Sequence, residues 1–253
     1  MKILLLALVL LATPAAAADG LFQIYASGRY DEAMRAGAAA NTADGLAIAA
    51  RAALADAAIR PQPCLDCLKR AEDFARRAVA ADASRADGHV WLATSLGLQG
   101  RIIGMLRARL ANSPEQAKAA LDVALTDDPR NGYALAALGG WNVEVVRAGG
   151  SLLADLLYGA TEKDGIALFD RAVAAAPGNV AVRYQIALVL AGFDPRKYRA
   201  RLESEWNAAI RATPQTEYEK FIQIRAAELL VLLKKGDARA FAAKVRLYQG
   251  YPP

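Results

Sequence analysis

The chain has 253 residues, and its 31 lysines and arginines outnumber its 26 aspartates and glutamates, giving a formal net charge of +5. This small excess is spread along the chain without a block of basic residues, which argues against nucleic-acid binding. One histidine and two cysteines are too few for the ligand sets of structural or catalytic zinc sites.

The chain begins with the segment MKILLLALVLLATPAAAADG. A single basic residue, Lys2, precedes an apolar run and then a series of alanines, which is the pattern of a secretory signal peptide. The run is too short to be a stable membrane anchor, so we predict a signal peptide at 1–18, with a retained signal anchor as the alternative. The mature chain, 19–253, is then expected to be periplasmic or secreted in a Gram-negative setting, with no transmembrane segment.

The two cysteines, Cys64 and Cys67, lie in the stretch PCLDCL. In an oxidising compartment a disulfide between them is the default expectation. A c-type haem site would need histidine where Leu68 stands, and a thioredoxin-like site would come with a βαβ pattern that this chain lacks. A reactive redox pair at the start of a helix remains the alternative to a plain local disulfide.

Helical periodicity dominates the rest of the chain. Apolar residues recur at steps of three and four between short proline-containing turns, and strand patterns are nearly absent, so we predict an all-α fold. Four segments, 69–84, 115–130, 163–178 and 200–215, align without gaps as an internal repeat. Each segment has an apolar residue followed three positions later by alanine: Ala75 and Ala78, Leu121 and Ala124, Phe169 and Ala172, Trp206 and Ala209.

These segments resemble the second helix of tetratricopeptide (TPR) repeats, with a small residue, an aromatic residue, an alanine and a proline at similar spacing. The helices between them carry the large-then-small pair of the family's first helix, at Leu92-Ala93, Leu138-Gly139 and Ile186-Ala187. A partial unit is found at 21–37, and 216–250 resembles a terminal cap. The resemblance implies a right-handed alpha-alpha superhelix, a solenoid of about five degenerate helix-hairpin repeats.

Two of the units are longer than the 34 residues of a plain TPR repeat. We assign the extra residues to inserts at about 100–114 and 144–162, between the first and second helices of their units. This insertion pattern, together with the stretches ALAALGGWNVEV and LLADLLYGATEKDGIALFDRAV, is similar to the regulator of microtubule dynamics family, and it also resembles the T component of TRAP transporters. These resemblances imply an interaction or lipid-contact module, or an accessory to a transporter's substrate-binding protein.

The sequence contains no pattern typical of an enzyme. The only histidine, His89, falls in the first helix of a repeat, where we expect it to pack at a helix contact. The chain has no phosphate-binding loop, and no strand precedes a dinucleotide fingerprint. We therefore predict no catalytic residues, no cofactor and no metal.

The TPR resemblance implies a concave groove lined by fixed positions of the first helices. Carried onto this chain, the groove lacks lysine and arginine, which disfavours a clamp for a peptide's terminal carboxylate. Its small and apolar lining suits an apolar helix, an extended apolar peptide or an amphiphile. The candidate groove residues are Val90, Thr94, Tyr133, Ala136, Gly140, Val143, Tyr184 and Leu188.

Each insert carries an apolar stripe that either closes a pocket over the groove or fills the groove as core. The candidate lid residues are Ile102, Ile103, Leu106, Leu152, Leu153, Leu156 and Leu157. The function expected first is a non-enzymatic periplasmic scaffold that binds another protein. The alternative is a carrier of a small amphiphile or lipid in a lidded apolar cavity, serving a transporter.

Overall fold

The structure is a computed structural model that describes residues 14–252, with side chains from residue 18 onward. The predicted signal peptide at 1–18 therefore lies outside the described residues, apart from the backbone at the start of the first helix. The described part contains helices and no strand, which confirms the all-α prediction there. The helices are α1 (Pro14–Ala26), α2 (Tyr30–Ala40), α3 (Ala43–Ile59), α4 (Leu65–Ala81), α5 (Ala86–Ile103), α6 (Met105–Leu110), α7 (Ser113–Asp127), α8 (Gly132–Gly149), α9 (Ser151–Tyr158), α10 (Glu162–Ala175), α11 (Val180–Phe193), α12 (Arg199–Arg211), α13 (Glu217–Lys235) and α14 (Ala238–Tyr248).

The turns between helices follow from the capping residues in the sequence. After α7 ends, Pro129 interrupts the helical pattern because proline has no N–H to continue it, and the side chain of Asn131 accepts a hydrogen bond from the N–H of Ala134 at 3.0 Å. Asn179 caps α11 in the same way after Pro177. Such caps satisfy backbone N–H groups that would otherwise lack partners at a helix start.

The helices form two layers in chain order. The inner helices are α3, α5, α8, α11 and α13, and each packs against the next one along the chain. The outer helices α4, α7, α10 and α12 each pack between two successive inner helices, and α14 packs behind α13. The two inserts supply α6 and α9, which follow the C-terminal ends of α5 and α8.

The inner helices run parallel, with their N-terminal ends side by side. Asp44 and Arg85 form an ion pair between the starts of α3 and α5. The rings of Trp91 and Tyr133 lie 5.4 Å apart between α5 and α8, and Tyr133 in turn accepts a hydrogen bond from Asn179 at the start of α11. The N-terminal ends of these inner helices therefore lie at one end of the interior.

The repeat positions identified in the sequence are packing positions in the structure. Phe169 and Trp206 are fully buried, and so are the alanines three residues after them. The corresponding pairs in α4 and α7 are buried as well. Small residues at these positions allow neighbouring helices to approach closely, while the large residues fill the space beside them.

The array of inner helices closes on itself. α13 packs against α3, so the last inner helix contacts the first. At this junction the side chain of Glu217 lies close to Gly28, and Tyr218 packs against the N-terminal core cluster. The repeat pattern predicted a stack in chain order and a groove but did not predict this contact, which makes the concave surface the wall of an interior that remains partly open to solvent.

Candidate ligand cavity

The inner helices surround a cavity of about 1050 Å³. All five of them contribute to its wall, together with α1, the insert helices and the end of α14. Most of the lining is apolar, and several of the positions facing the cavity are small, such as Thr94, Gly97, Ala136 and Gly140. This volume is at the upper end of the range found for pockets that bind drug-sized ligands.

One part of the wall is a cluster of aromatic rings around the guanidinium of Arg51. The central carbon of this group lies 4.7 Å from the ring centre of Tyr25, 5.2 Å from that of Tyr133 and 5.3 Å from that of Trp91. The guanidinium also donates a hydrogen bond of 2.9 Å to the hydroxyl of Tyr133. These contacts hold a positive charge against the faces of electron-rich rings, where it is favoured electrostatically.

Burial controls the titration of the groups beside Arg51. Burial raises the pKa of Tyr25 well above the usual range, and the charge of Arg51 opposes the shift only in part, so the phenol stays neutral. Burial also raises the pKa of Asp87, against the opposing charges of Arg51 and Arg85. Within the described chain Arg51 forms no ion pair with a carboxylate.

A second arginine, Arg225, faces the cavity from α13. Its guanidinium lies 4.3 Å from the ring centres of both Phe221 and Tyr248. Nearby on α11, the hydroxyl of Tyr184 is buried and has no hydrogen-bond partner among the described residues. Burial raises the pKa of Tyr218, which lies close enough to both Arg225 and Arg51 for their charges to oppose the shift.

The opposite part of the cavity, near the C-terminal ends of α5 and α8, has a paired charge network. Glu144 forms ion pairs with Arg101 at 3.3 Å and with Arg147 at 2.6 Å. Burial alone would raise the pKa of Glu144, but the two arginines outweigh burial and lower it. Arg101 also donates to the carbonyl oxygen of Gln249, and Arg147 to the hydroxyl of Tyr251, so the C-terminal segment is tied to this network.

The insert helices α6 and α9 both border the cavity. The indole N–H of Trp141 donates to the carbonyl oxygen of Pro114, in the first turn of α7, and its ring lies 6.1 Å from that of Tyr158 in α9. One face of each insert helix is buried, at Ala108 and Ala154. Both helices also carry exposed large apolar side chains, some of which border the cavity: Met105, Leu106, Leu110, Leu152, Leu153, Leu156 and Leu157.

The structure places the candidate groove residues in two groups. Six of them lie in the cavity wall: Val90, Thr94, Tyr133, Ala136, Gly140 and Tyr184. Val143 and Leu188 instead lie in the core between the helix layers, with exposures of 0% and 1%. They differ from the others because each turns away from the interior toward the neighbouring helices.

The candidate lid residues also divide. Ile102, Leu153 and Leu157 line the cavity. Leu106, Leu152 and Leu156 face outward, with exposures of 72%, 79% and 75%, and Ile103 is half-buried without reaching the cavity. The inserts therefore border the cavity without filling it.

The sequence reading missed the arginines of the cavity. Arg51 lies in α3, which was not recognised as a first helix of a repeat, and Arg225 lies in the segment treated as a terminal cap. A single arginine flanked by alanines, as in AIAARAALA around Arg51, is the signal that could have drawn attention to α3. In a helix whose other residues suit burial, a lone arginine has to be accommodated by specific partners.

The remaining residues singled out in the sequence have structural places. The sulfur atoms of Cys64 and Cys67 lie at disulfide distance, 2.00 Å, in the loop that begins α4. His89 is buried, and its Nε2 lies 2.9 Å from the carbonyl oxygen of Ala83. Within residues 18–252 no group of three or more side chains could hold a metal ion.

None of the helices in the described part is long and apolar enough to cross a membrane. No known protein family matches the sequence, and a search of curated proteins also found no match. The cavity and the residues around it are therefore the basis on which a function is inferred.

Proposed function

We propose that this protein is a non-enzymatic carrier that holds the apolar chain of an amphiphile inside the ring of inner helices. The observation that carries the proposal is the cavity of about 1050 Å³, whose wall is largely apolar and receives residues from every inner helix. Protein interiors are normally packed to the density of organic crystals. An apolar cavity of this size is therefore a space that favours an apolar ligand over ordered water.

The fold that we infer for this carrier is a right-handed TPR-like superhelix whose inner helices meet. Burial of the repeat positions and packing of the helices in chain order support this inference. The predicted signal peptide supports a location in the periplasm or outside the cell. A carrier in that compartment would keep an amphiphile away from water, as an accessory to a transporter would need to do.

A cavity-filling substitution tests the proposal. A Cβ atom added at Gly97, in the middle of α5, would have no atom within 4 Å although the residue faces the cavity. Gly97→Trp should therefore fold, because replacing a helical glycine favours the helix by up to about 1 kcal/mol, while its indole occupies ligand space. Gly20→Trp, at an exposed position of α1 with equally free surroundings, is the matched control.

The measurement is the binding of N-phenyl-1-naphthylamine, an uncharged apolar probe that fluoresces in apolar surroundings, together with mass spectrometry of lipids extracted from the purified protein. The wild type and Gly20→Trp should bind the probe and release a co-purified amphiphile. Gly97→Trp should lose most of both. If the wild type neither binds the probe nor yields an amphiphile, the carrier function is wrong.

A second candidate function is the binding of a protein partner through the insert helices. The exposed apolar side chains of α6 and α9 support it, since large apolar side chains grouped on an exposed element commonly mark an interaction site. The doubly substituted Leu106→Ser, Leu156→Ser chain should then lose a partner captured from a periplasmic extract while retaining the probe. Capture of the same partner by this variant would exclude the insert helices as its binding surface.

A further inference from the structure

We infer that the cavity selects amphiphiles with an anionic head group, a carboxylate or a phosphate, and that it holds this group near Arg51 and Arg225. The inference rests on the proposed carrier function and specifies the class of ligand. It comes from three features of the cavity wall: two arginines without carboxylate partners, their positions on neighbouring helices, and the pairing of the other half-buried arginines with acids.

Arg51 retains both charge and hydrogen-bonding capacity. A guanidinium has five N–H donors, and one of its nitrogens donates to Tyr133. The surrounding rings stabilise the positive charge, but they accept few hydrogen bonds and do not neutralise it. Asp87 is the carboxylate that most affects Arg51, yet it forms no ion pair with it, and burial raises the pKa of Asp87. An anion in the cavity would supply the missing partner.

Arg225 is the second cationic side chain in this part of the cavity wall. Arg51 and Arg225 are each the ninth residue of a helix, α3 and α13 respectively, and these two helices are neighbours. The charges of both arginines reach Tyr218, which lines the cavity with them. The acid nearest to Arg225 along its helix, Glu228, instead accepts a hydrogen bond from Tyr248 and forms an ion pair with Lys244.

Tyr184 belongs to the same part of the wall, and burial together with the charge of Arg225 acts on its pKa. Its ring lines the cavity, but its hydroxyl oxygen is buried, is not exposed to the cavity and has no hydrogen-bond partner within the described chain. Leaving a buried hydroxyl unpaired costs about 1–3 kcal/mol. The two guanidinium groups are therefore the groups that a ligand's anion would contact.

Other half-buried arginines in the described chain are paired with acids. Arg183 pairs with the buried Glu205 at 2.6 Å, Arg201 with Asp170 at 2.8 Å, and Arg101 with Glu144. This pairing is expected, because a desolvated charge is costly without a partner. Of these three only Arg101 also lines the cavity, and it is paired with Glu144, whereas Arg51 and Arg225 line the cavity without an acid partner.

The first test compares ligands that differ only in the head group. Hexadecanoic acid, hexadecanol and hexadecylamine are titrated into the full mature protein, and each is scored by displacement of N-phenyl-1-naphthylamine. The acid should bind roughly 10- to 100-fold more tightly than the alcohol, as expected for hydrogen bonds to charged groups, and the amine should bind most weakly. A monoacylglycerol phosphate with the same chain, compared with the acid, shows whether phosphate or carboxylate fits better.

The second test uses substitutions in the wall. Arg225→Met and Arg51→Met should each reduce the preference for the acid over the alcohol by roughly 10-fold while leaving the affinity for the alcohol unchanged. Arg109→Met is the matched control, because Arg109 borders the cavity from α6, away from the aromatic cluster. This control should keep the full preference. Should Arg51→Met fail to fold, Arg225→Met and the wild-type ligand series still decide the question.

The outcomes separate the two proposals. Equal affinities for acid, alcohol and amine would overturn the anionic head group and leave the carrier function standing. An acid preference that is retained in Arg225→Met and Arg51→Met, or lost in Arg109→Met, would also overturn it. Failure of the wild type to bind any of these ligands or the probe would instead refute the carrier function itself.

Discussion

The two adjacent glycines of α8 provide a sharp test of how the layers pack. A Cβ atom added at Gly139 would lie 2.6 Å from the Cδ1 atom of Phe169 and 2.9 Å from the carbonyl oxygen of Gly165, both in α10. At Gly140 the nearest atom would be Cγ2 of Val189, at an ordinary contact distance of 3.5 Å. Gly139→Ala should therefore strain the contact between α8 and α10, whereas Gly140→Ala should fit.

The size of the difference follows from the shared helix. Both substitutions replace glycine by alanine inside α8, so each gains about the same helix propensity, up to about 1 kcal/mol. Phe169 is 0% exposed and has no free space into which its ring could move, and the second contact is with backbone. Overpacking of this kind costs about 1–3 kcal/mol, and the difference in unfolding free energy between the two variants should equal that cost.

Urea unfolding, followed by circular dichroism of the helices, measures this difference directly. Gly140→Ala should be as stable as the wild type or more stable, and Gly139→Ala should be the less stable of the pair. The unfolding free energies of the two variants should depend equally steeply on urea concentration, so their stabilities can be compared from the transition midpoints alone. Equal midpoints, or a more stable Gly139→Ala protein, would refute the close approach of α8 and α10 at this residue.

Three further predictions concern stability. The pKa of Glu144 is lowered in the folded protein. Its ionised form therefore stabilises the fold at pH values above the usual carboxyl pKa of 4.5. This stabilisation is lost as the pH falls through the pKa of the folded state. Glu144→Gln should flatten the fall in melting temperature below about pH 4.5, and an unchanged fall would contradict the network. Trp206 is fully buried but its indole N–H has no partner. Trp206→Phe removes this unpaired donor, which offsets part of the lost packing, so it should lose clearly less in urea unfolding than the about 3–5 kcal/mol expected for Trp206→Ala. Similar losses in the two variants would argue against this packing. Because Cys64 and Cys67 close a very short loop, the Cys64→Ser, Cys67→Ser protein should lose at most about 2 kcal/mol of unfolding free energy. If that protein were globally unfolded, the disulfide would have a larger role in stability than its loop length implies.

The sequence was most informative where local rules and packing agree. Asn131 and Asn179 cap helices just after prolines, and the repeat positions Phe169 and Trp206 are buried. At these positions the residue that favours the local turn or helix also fits the packing between the two helix layers. The inserts at about 100–114 and 144–162 were inferred from the long spacing between repeat helices, and the short helices α6 and α9 lie within these ranges.

Long-range geometry could not be obtained in the same way. The meeting of α3 and α13 depends on the curvature accumulated over five inner helices, to which no single residue points. Two candidate groove residues, Val143 and Leu188, were assigned by position within a repeat and are buried between helices instead. A small rotation of a helix about its axis moves a residue from the cavity wall into the core, and apolar side chains are compatible with both places.

The contact between α3 and α13 also explains why the charge of Arg51 indicates more about a ligand than its position among alanines in α3 suggests. On an open groove, a cation among alanines would be solvated, and its charge would carry little information about a ligand. Within the ring of inner helices the same guanidinium is surrounded by the rings of Tyr25, Trp91 and Tyr133, and its interaction with an anion is strengthened because less water screens it. In the carrier proposed above, the apolar wall provides the affinity for a chain, whereas the arginines without acid partners provide discrimination among head groups. That proposal predicts that the discrimination between acid and alcohol weakens in any variant that opens the junction of α3 and α13.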